Sequence, residues 1–223
     1  MAAPKLNFCK KEVERLTNKN QQTGYLTPNK FNGYAKQAQL EEVIDRLNML
    51  DGGLNNSDEV DELKKTIFLN PNTSGVALKP TDWMRFDTAD VQVFYKKGGV
   101  PKQKTAPVDV VSQNQLADRL STSFDAPTLE RPIVLTQADS LQFYPQTIGT
   151  VKVNYIRVPT DPFWGSVTTN GRPVYEPSTS VDFDLGYESL PSLIWRICGY
   201  LGVEVRKGEI AQYAEAKIQQ TSN

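Results

Sequence analysis

The sequence contains no histidine. Histidine is the usual general base near neutral pH and the commonest metal ligand. Its absence excludes Ser-His-Asp and Cys-His chemistry and most zinc sites, so only carboxylate, lysine or tyrosine chemistry stays open. Cysteine is nearly absent too. Cys9 and Cys198 each fall in an apolar helical pattern and are expected to be small core residues, not a bridge or a metal site. No apolar run approaches the ~20 residues that cross a bilayer, so no membrane contact is expected. No apolar segment follows Met1 to Lys5, so no signal peptide is expected and the chain should start in a cytoplasm. Charge of one sign is not in excess either. The 25 Lys and Arg against 26 Asp and Glu leave a net −1, which does not suggest a dedicated nucleic-acid binder.

What is present is a chain of 223 residues, 39% apolar and 23% charged, enough for one large domain or two small ones. The first ~70 residues carry helical periodicity. Leu6, Cys9, Val13 and Leu16 form one stripe. Thr27-Pro28 opens a second helix, striped by Phe31, Tyr34, Ala35, Ala38, Val43 or Ile44, Leu47 and Leu50. Ser57 caps a third, with an acidic first turn and Val60, Leu63 and Ile67 on its apolar side.

From about residue 75 alternation replaces the helical period. Val91 to Tyr95, Val108 to Val111, Ile133 to Leu135, Leu141 to Phe143 and Val151 to Tyr155 are expected strands. The last two are expected to form a hairpin through Pro145 to Gly149, and Gln113 to Leu120 a short helix. Residues 159–180, with four prolines and two glycines, suggest a long surface loop or arm. Helical stripes return at Leu190, Leu193, Ile194, Ile197 and Leu201, and again at Ile210, Tyr213, Ala214 and Ile218. The expected fold is therefore α+β. Residues 187–223 pack back on residues 1–70 as a helical bundle, and an inserted antiparallel β-sandwich or small-barrel lobe, 71–186, projects from it.

No catalytic, cofactor or metal site emerges. Asp58 to Glu62 lacks the ligand spacing and glycine of a calcium loop and suits the solvated first turn of a helix. No phosphate-cradling glycine motif occurs. Lys96, Lys97, Lys102 and Lys104 gather four lysines and no acid at the tip between two strands. That tip could contact DNA phosphate, where each neutralised charge adds salt-dependent affinity, or a neighbouring subunit, or only solvent. Phe163, Trp164 and Tyr175, in the proline-rich loop, offer large rigid contact area for a partner. The competing reading has Trp164 capping the edge of the β lobe. The final helix pairs a thin apolar stripe with many charges. Ile210, Tyr213 and Ile218 are therefore expected to dock on another subunit.

An ordered set of segments resembles the connector proteins of crAss-like phages and related podoviruses of Bacteroidetes. It begins with Leu16 to Gly24, Tyr25 to Asn32 (containing Thr27-Pro28 and Phe31-Asn32) and Ala35 to Gln39. It continues through Leu78 to Asp82, Ala126 to Thr128, Arg131-Pro132 and Phe143 to Pro145. The sharpest stretch is Val153 to Trp164, followed by Ser180 to Asp184, Gly199 to Arg206 and Glu209 to Tyr213. The resemblance implies a non-enzymatic structural protein in the neck of the virion. It implies a ring of about twelve copies. That ring would link the portal to neighbouring ring or tail proteins and line the DNA channel, with non-specific contact to genomic DNA. The alternative is a carbohydrate- or protein-binding β module of a phage tail or baseplate.

Overall fold

The computed structural model describes residues 5–17, 26–51, 57–97, 100–122, 124–204 and 208–221; the side chains of Lys96, Lys97 and Ile210 lie outside the described ones. Among the described residues the fold is mixed α+β, with five α-helices and several antiparallel sheets. The chain divides into two compact units: a helical unit, Met1–Leu63 with Pro159–Asn223, and a β unit, Lys64–Val158.

The helical unit is built from α1 (Lys5–Leu16), α2 (Pro28–Asp51), α4 (Leu190–Glu204) and α5 (Gly208–Thr221). α1 buries Leu6, Cys9 and Val13, as the three- and four-residue spacing requires. Its first turn is capped from far along the chain. The backbone N–H groups of Lys5 and Leu6 donate to the Asp182 carboxylate at 3.0 and 2.6 Å, a negative charge on the positive helix end. α2 starts at Pro28, which gives up an N–H that no helix would use there. Of the two residues left open by the periodicity, Val43 is buried and Ile44 is exposed. α4 packs on α1, α2 and α5 and supplies Leu193, Ile194, Ile197 and Leu201 to the core. Cys9 and Cys198 lie in that core as free thiols.

The β unit holds two four-stranded sheets. The first has the order β1 (Lys64–Leu69), β8 (Val151–Arg157), β3 (Trp83–Lys97), β4 (Val100–Pro107), all antiparallel. The second is β2 (Val76–Leu78), β7 (Ser140–Tyr144), β6 (Ile133–Thr136), β5 (Asp109–Val111), in which β5 and β6 run parallel. Ala89, Val91, Val151 and Val153 of the first sheet share an apolar cluster with Val134, Leu141 and Phe143 of the second. Helix α3 (Gln113–Ser121) is closed by a capping box in which Ser112 and Gln115 satisfy each other's backbone N–H.

Four expectations change. Residues 64–69 are a strand, not the end of a third helix. Only a 3-10 turn spans Ser57–Leu63, and Thr66 to Leu69 takes the extended form suited to its β-branched and aromatic side chains. β7 and β8 do not form a hairpin, because they belong to different sheets. Residues 159–180 are not one structureless arm. They contain the hairpin β9 (Ser166–Thr169) and β10 (Arg172–Tyr175), turned by Asn170 and Gly171, both at positive φ. Such a two-residue turn favours Asn-Gly because both positions need the left-handed region. Finally, residues 159–186 cluster with the helices. The β unit therefore runs from 64 to 158, not from 71 to 186.

Candidate interaction surfaces

The aromatics of the 159–180 segment separate sharply. Trp164 is only 4% exposed and sits in the helical core, so it is neither a free partner contact nor a cap on the β lobe. Its indole Nε1 donates to Asn7 Oδ1 at 3.2 Å, and the Lys10 ammonium lies 4.4 Å from its ring. Its backbone N–H donates to Asn32 Oδ1 at 2.8 Å. Tyr175 packs beside it, ring centroids 5.7 Å apart, and is partly buried. Phe163 alone stays open, at 48% exposure. The reason is backbone placement. Phe163 and Val181 pair as an antiparallel bridge, which sends the next side chain, Trp164, to the opposite face and into the core.

The same segment is stitched to α2 by a closed set of bonds. Gln39 Nε2 donates to the Thr160 carbonyl at 2.8 Å, the Thr160 N–H donates to Asp184 at 2.6 Å, and the Asp184 N–H donates to Gln39 Oε1 at 2.9 Å. Gln39 is fully buried, and these bonds satisfy both ends of its amide.

Between α2 and α4 lies a buried charge network that the sequence patterns did not reveal. Arg196 donates to Glu42 at 3.1 Å and to Asp45 at 2.6 Å. Arg46 donates to Glu42 at 3.1 Å and to the Ser189 hydroxyl at 2.8 Å. Ser192 also bonds Glu42, and Tyr200 bonds Glu41. Burial works against the Arg196 charge, but Asp45 and Glu42 outweigh it and hold the guanidinium more firmly protonated than usual. Burial, followed by the bond to Glu41, raises the Tyr200 phenol. The i, i+4 spacing of Glu42 and Arg46 was the one available signal.

The lysine cluster forms the end of the β3–β4 hairpin. Lys102 and Lys104 are exposed, opposite Tyr95 and Val93 in the register. In the C-terminal helix, Tyr213 meets Trp195 of α4 edge-on at 5.1 Å, yet stays 54% exposed. Ile218 is half-buried. Part of the apolar stripe of α5 thus rests on its own chain.

One surface has no counterpart in the sequence reading. On the first sheet, Phe68 of β1 and Phe94 of β3 are 68% and 73% exposed. Both line an open groove with Gln92, Thr105, Leu129 and Lys152. Alternation along β1 turns Ile67 and Leu69 toward the core, so Phe68 must point outward. Among the described residues, no group of three or more acidic or cysteine side chains could hold a metal ion, and no helix is long and apolar enough to cross a membrane. No protein-family model matches this chain, and no curated protein matches it.

Proposed function

We propose that this chain is a structural ring subunit of the head-to-tail connector of a tailed phage. In the virion neck it would link the portal to the tail and line the DNA channel, with no enzymatic role. In this reading a bundle made from both chain ends carries an inserted sandwich of two sheets. Copies close into a ring of about twelve through head-to-tail contacts.

One observation supports the reading above others. The segments that carry the resemblance to crAss-like connectors meet around Trp164. Asn32 of the Thr27–Asn32 segment holds the Trp164 backbone, and Gln39 holds Thr160 and Asp184. Asp182, from the same Ser180–Asp184 segment, caps α1. Residues scattered over the sequence therefore serve one local construction, as expected when a pattern encodes a fold and not a reaction centre. The test is copy counting by quantitative mass spectrometry of purified virions. Roughly a dozen copies per particle is the expected result. Absence from the virion contradicts the proposal.

The groove between Phe68 and Phe94 favours a second reading, a carbohydrate- or protein-binding module of a tail or baseplate. That module would bind glycan as an isolated subunit, which a connector would not.

A further inference from the structure

Two Asn-Gly pairs occur in the sequence, Asn32-Gly33 and Asn170-Gly171. Each pair holds both partners of a slow reaction. The backbone nitrogen that follows an asparagine can attack the side-chain amide carbon, and glycine, with no Cβ, hinders that attack least. The fold sets the two pairs in opposite circumstances.

Asn32-Gly33 lies within α2. Trp164 holds the Asn32 amide at both ends, its N–H donating to Oδ1 at 2.8 Å and its carbonyl accepting from Nδ2 at 3.5 Å. Gly33 lies past the first turn, so its N–H belongs to the helix ladder. Attack there would require both bonds to break and α2 to open.

Asn170-Gly171 is the turn of the β9–β10 hairpin. Both residues are exposed, with φ of 50° and 75°. Even a Cβ added at Gly171 would meet no atom within 4 Å, so nothing crowds that backbone. Among the described residues, none bonds the Asn170 side-chain amide. The paired Val167 and Val174 behind the turn are each 47% exposed, so no core pins the outer hairpin. Swinging the peptide between Asn170 and Gly171 therefore opens only a surface turn, where local unfolding costs least.

We infer that Asn170 is a site of spontaneous covalent modification, converting to aspartate and isoaspartate in the folded chain, and that α2 protects Asn32 from the same reaction. The Gly171 nitrogen gives up its proton and bonds to Asn170 Cγ. The Cγ–Nδ2 bond breaks, and the nitrogen leaves as ammonia with that proton. Water then opens the resulting cyclic imide at either carbonyl. The net change is one water consumed, one ammonia released and one carboxyl group gained.

The two products differ in shape. Aspartate keeps the backbone and tolerates the left-handed region. Isoaspartate routes the chain through the former side chain and adds a methylene to a turn whose length sets the strand register. The base of the hairpin is held separately. The Glu176 N–H donates to the Gly165 carbonyl at 2.9 Å, and Tyr175 packs on Trp164. Isoaspartate should therefore loosen the turn end and leave the base in place. This reactivity is independent of any role in a ring.

The test ages the full, folded chain for days in warm, mildly alkaline buffer. Peptide mapping by mass spectrometry locates each conversion, and isoaspartate methyltransferase with a labelled methyl donor detects isoaspartate. A parallel sample in urea gives the rates of both pairs without the fold. N170G keeps a turn that needs the left-handed region and removes the reacting amide. In the folded chain Asn170 should convert about tenfold or more faster than Asn32, and in urea the two rates should converge. Aged wild type should lose hydrogen-exchange protection around Thr169 and Arg172 but keep it at Glu176, while aged N170G stays unchanged. Three results overturn the inference: Asn170 intact in the folded chain while the urea sample converts, equal rates at the two pairs in the folded chain, or full protection of the turn end with isoaspartate in place.

Discussion

Asn32 and Trp164, 132 residues apart in the chain, are joined through both ends of one amide. Asn32 Oδ1 accepts from the Trp164 N–H at 2.8 Å, and its Nδ2 donates to the Trp164 carbonyl at 3.5 Å. The side chain acts as a strand would, taking both backbone groups of Trp164 on the residue next to the Phe163–Val181 bridge. Asn32→Leu keeps the size and removes both bonds. It should lower unfolding free energy by about 1–3 kcal/mol, because the Trp164 N–H is left without a partner. Urea unfolding should show a lower midpoint with an unchanged slope.

The α2–α4 charge network should be costly to break and cheap to replace whole. Arg196→Met leaves Glu42 and Asp45 without their shared cation and should cost about 3–5 kcal/mol. Glu42 keeps its bond to Arg46, so the stranded carboxylate is Asp45, and combining Arg196→Met with Asp45→Asn should recover part of that loss in the same unfolding assay. Equal or greater damage from the pair would show that packing of the guanidinium, not charge, matters there.

Alkaline pH should destabilise the β unit by a defined route. Tyr155, stacked on Trp83 at 4.8 Å and donating to Asp82 at 2.8 Å, has its phenol pushed up to about 12 by burial and then by that carboxylate. A phenol raised in the folded state binds its proton there after the unfolded chain has lost it. Its contribution is complete below the unfolded value near 10 and fades as pH climbs toward 12. Thermal midpoints should therefore be flat to about pH 9 and then fall. Tyr155→Phe should make that fall shallower.

The C-terminal helix should add modest stability to the isolated chain and more to assembly. Tyr213→Ala removes an edge-on aromatic contact with Trp195 worth about 0.5–1.5 kcal/mol. Deletion of residues 207–223 should leave a folded subunit with a lower melting midpoint that fails to enter particles. A chain that unfolds outright would place α5 in its own core. The lysine tip should behave oppositely. Changing Lys96, Lys97, Lys102 and Lys104 to Ser should shift stability by no more than about 0.5 kcal/mol, yet impair genome retention.

Periodicity located α1, α2 and α4 because each has one face that must be buried, and those positions recur every three or four residues. Alternation located β6, β7 and β8 for the matching reason. Sheet membership was not legible, since the alternation of Leu141 and Phe143 is the same whichever strand lies beside them. β1 was hidden by the apolar spacing of Val60, Leu63 and Ile67, which fits a helix as well as a turn followed by a strand. The β9–β10 hairpin did have a signal, Asn170-Gly171, which the density of prolines obscured. Trp164 was misplaced because proline-rich sequence says nothing of which residue its backbone turns inward. The Phe68–Phe94 groove depends on β1 and β3 sharing one sheet through β8, a pairing across the whole unit.

An averaged electron-microscopy map of the virion neck tests the central proposal most directly. The account predicts a ring of about twelve copies of this two-unit fold below the portal, with the β3–β4 tips or a neighbouring loop bordering the channel. A neck map complete without this chain, or the fold found instead on a tail appendage, would contradict it.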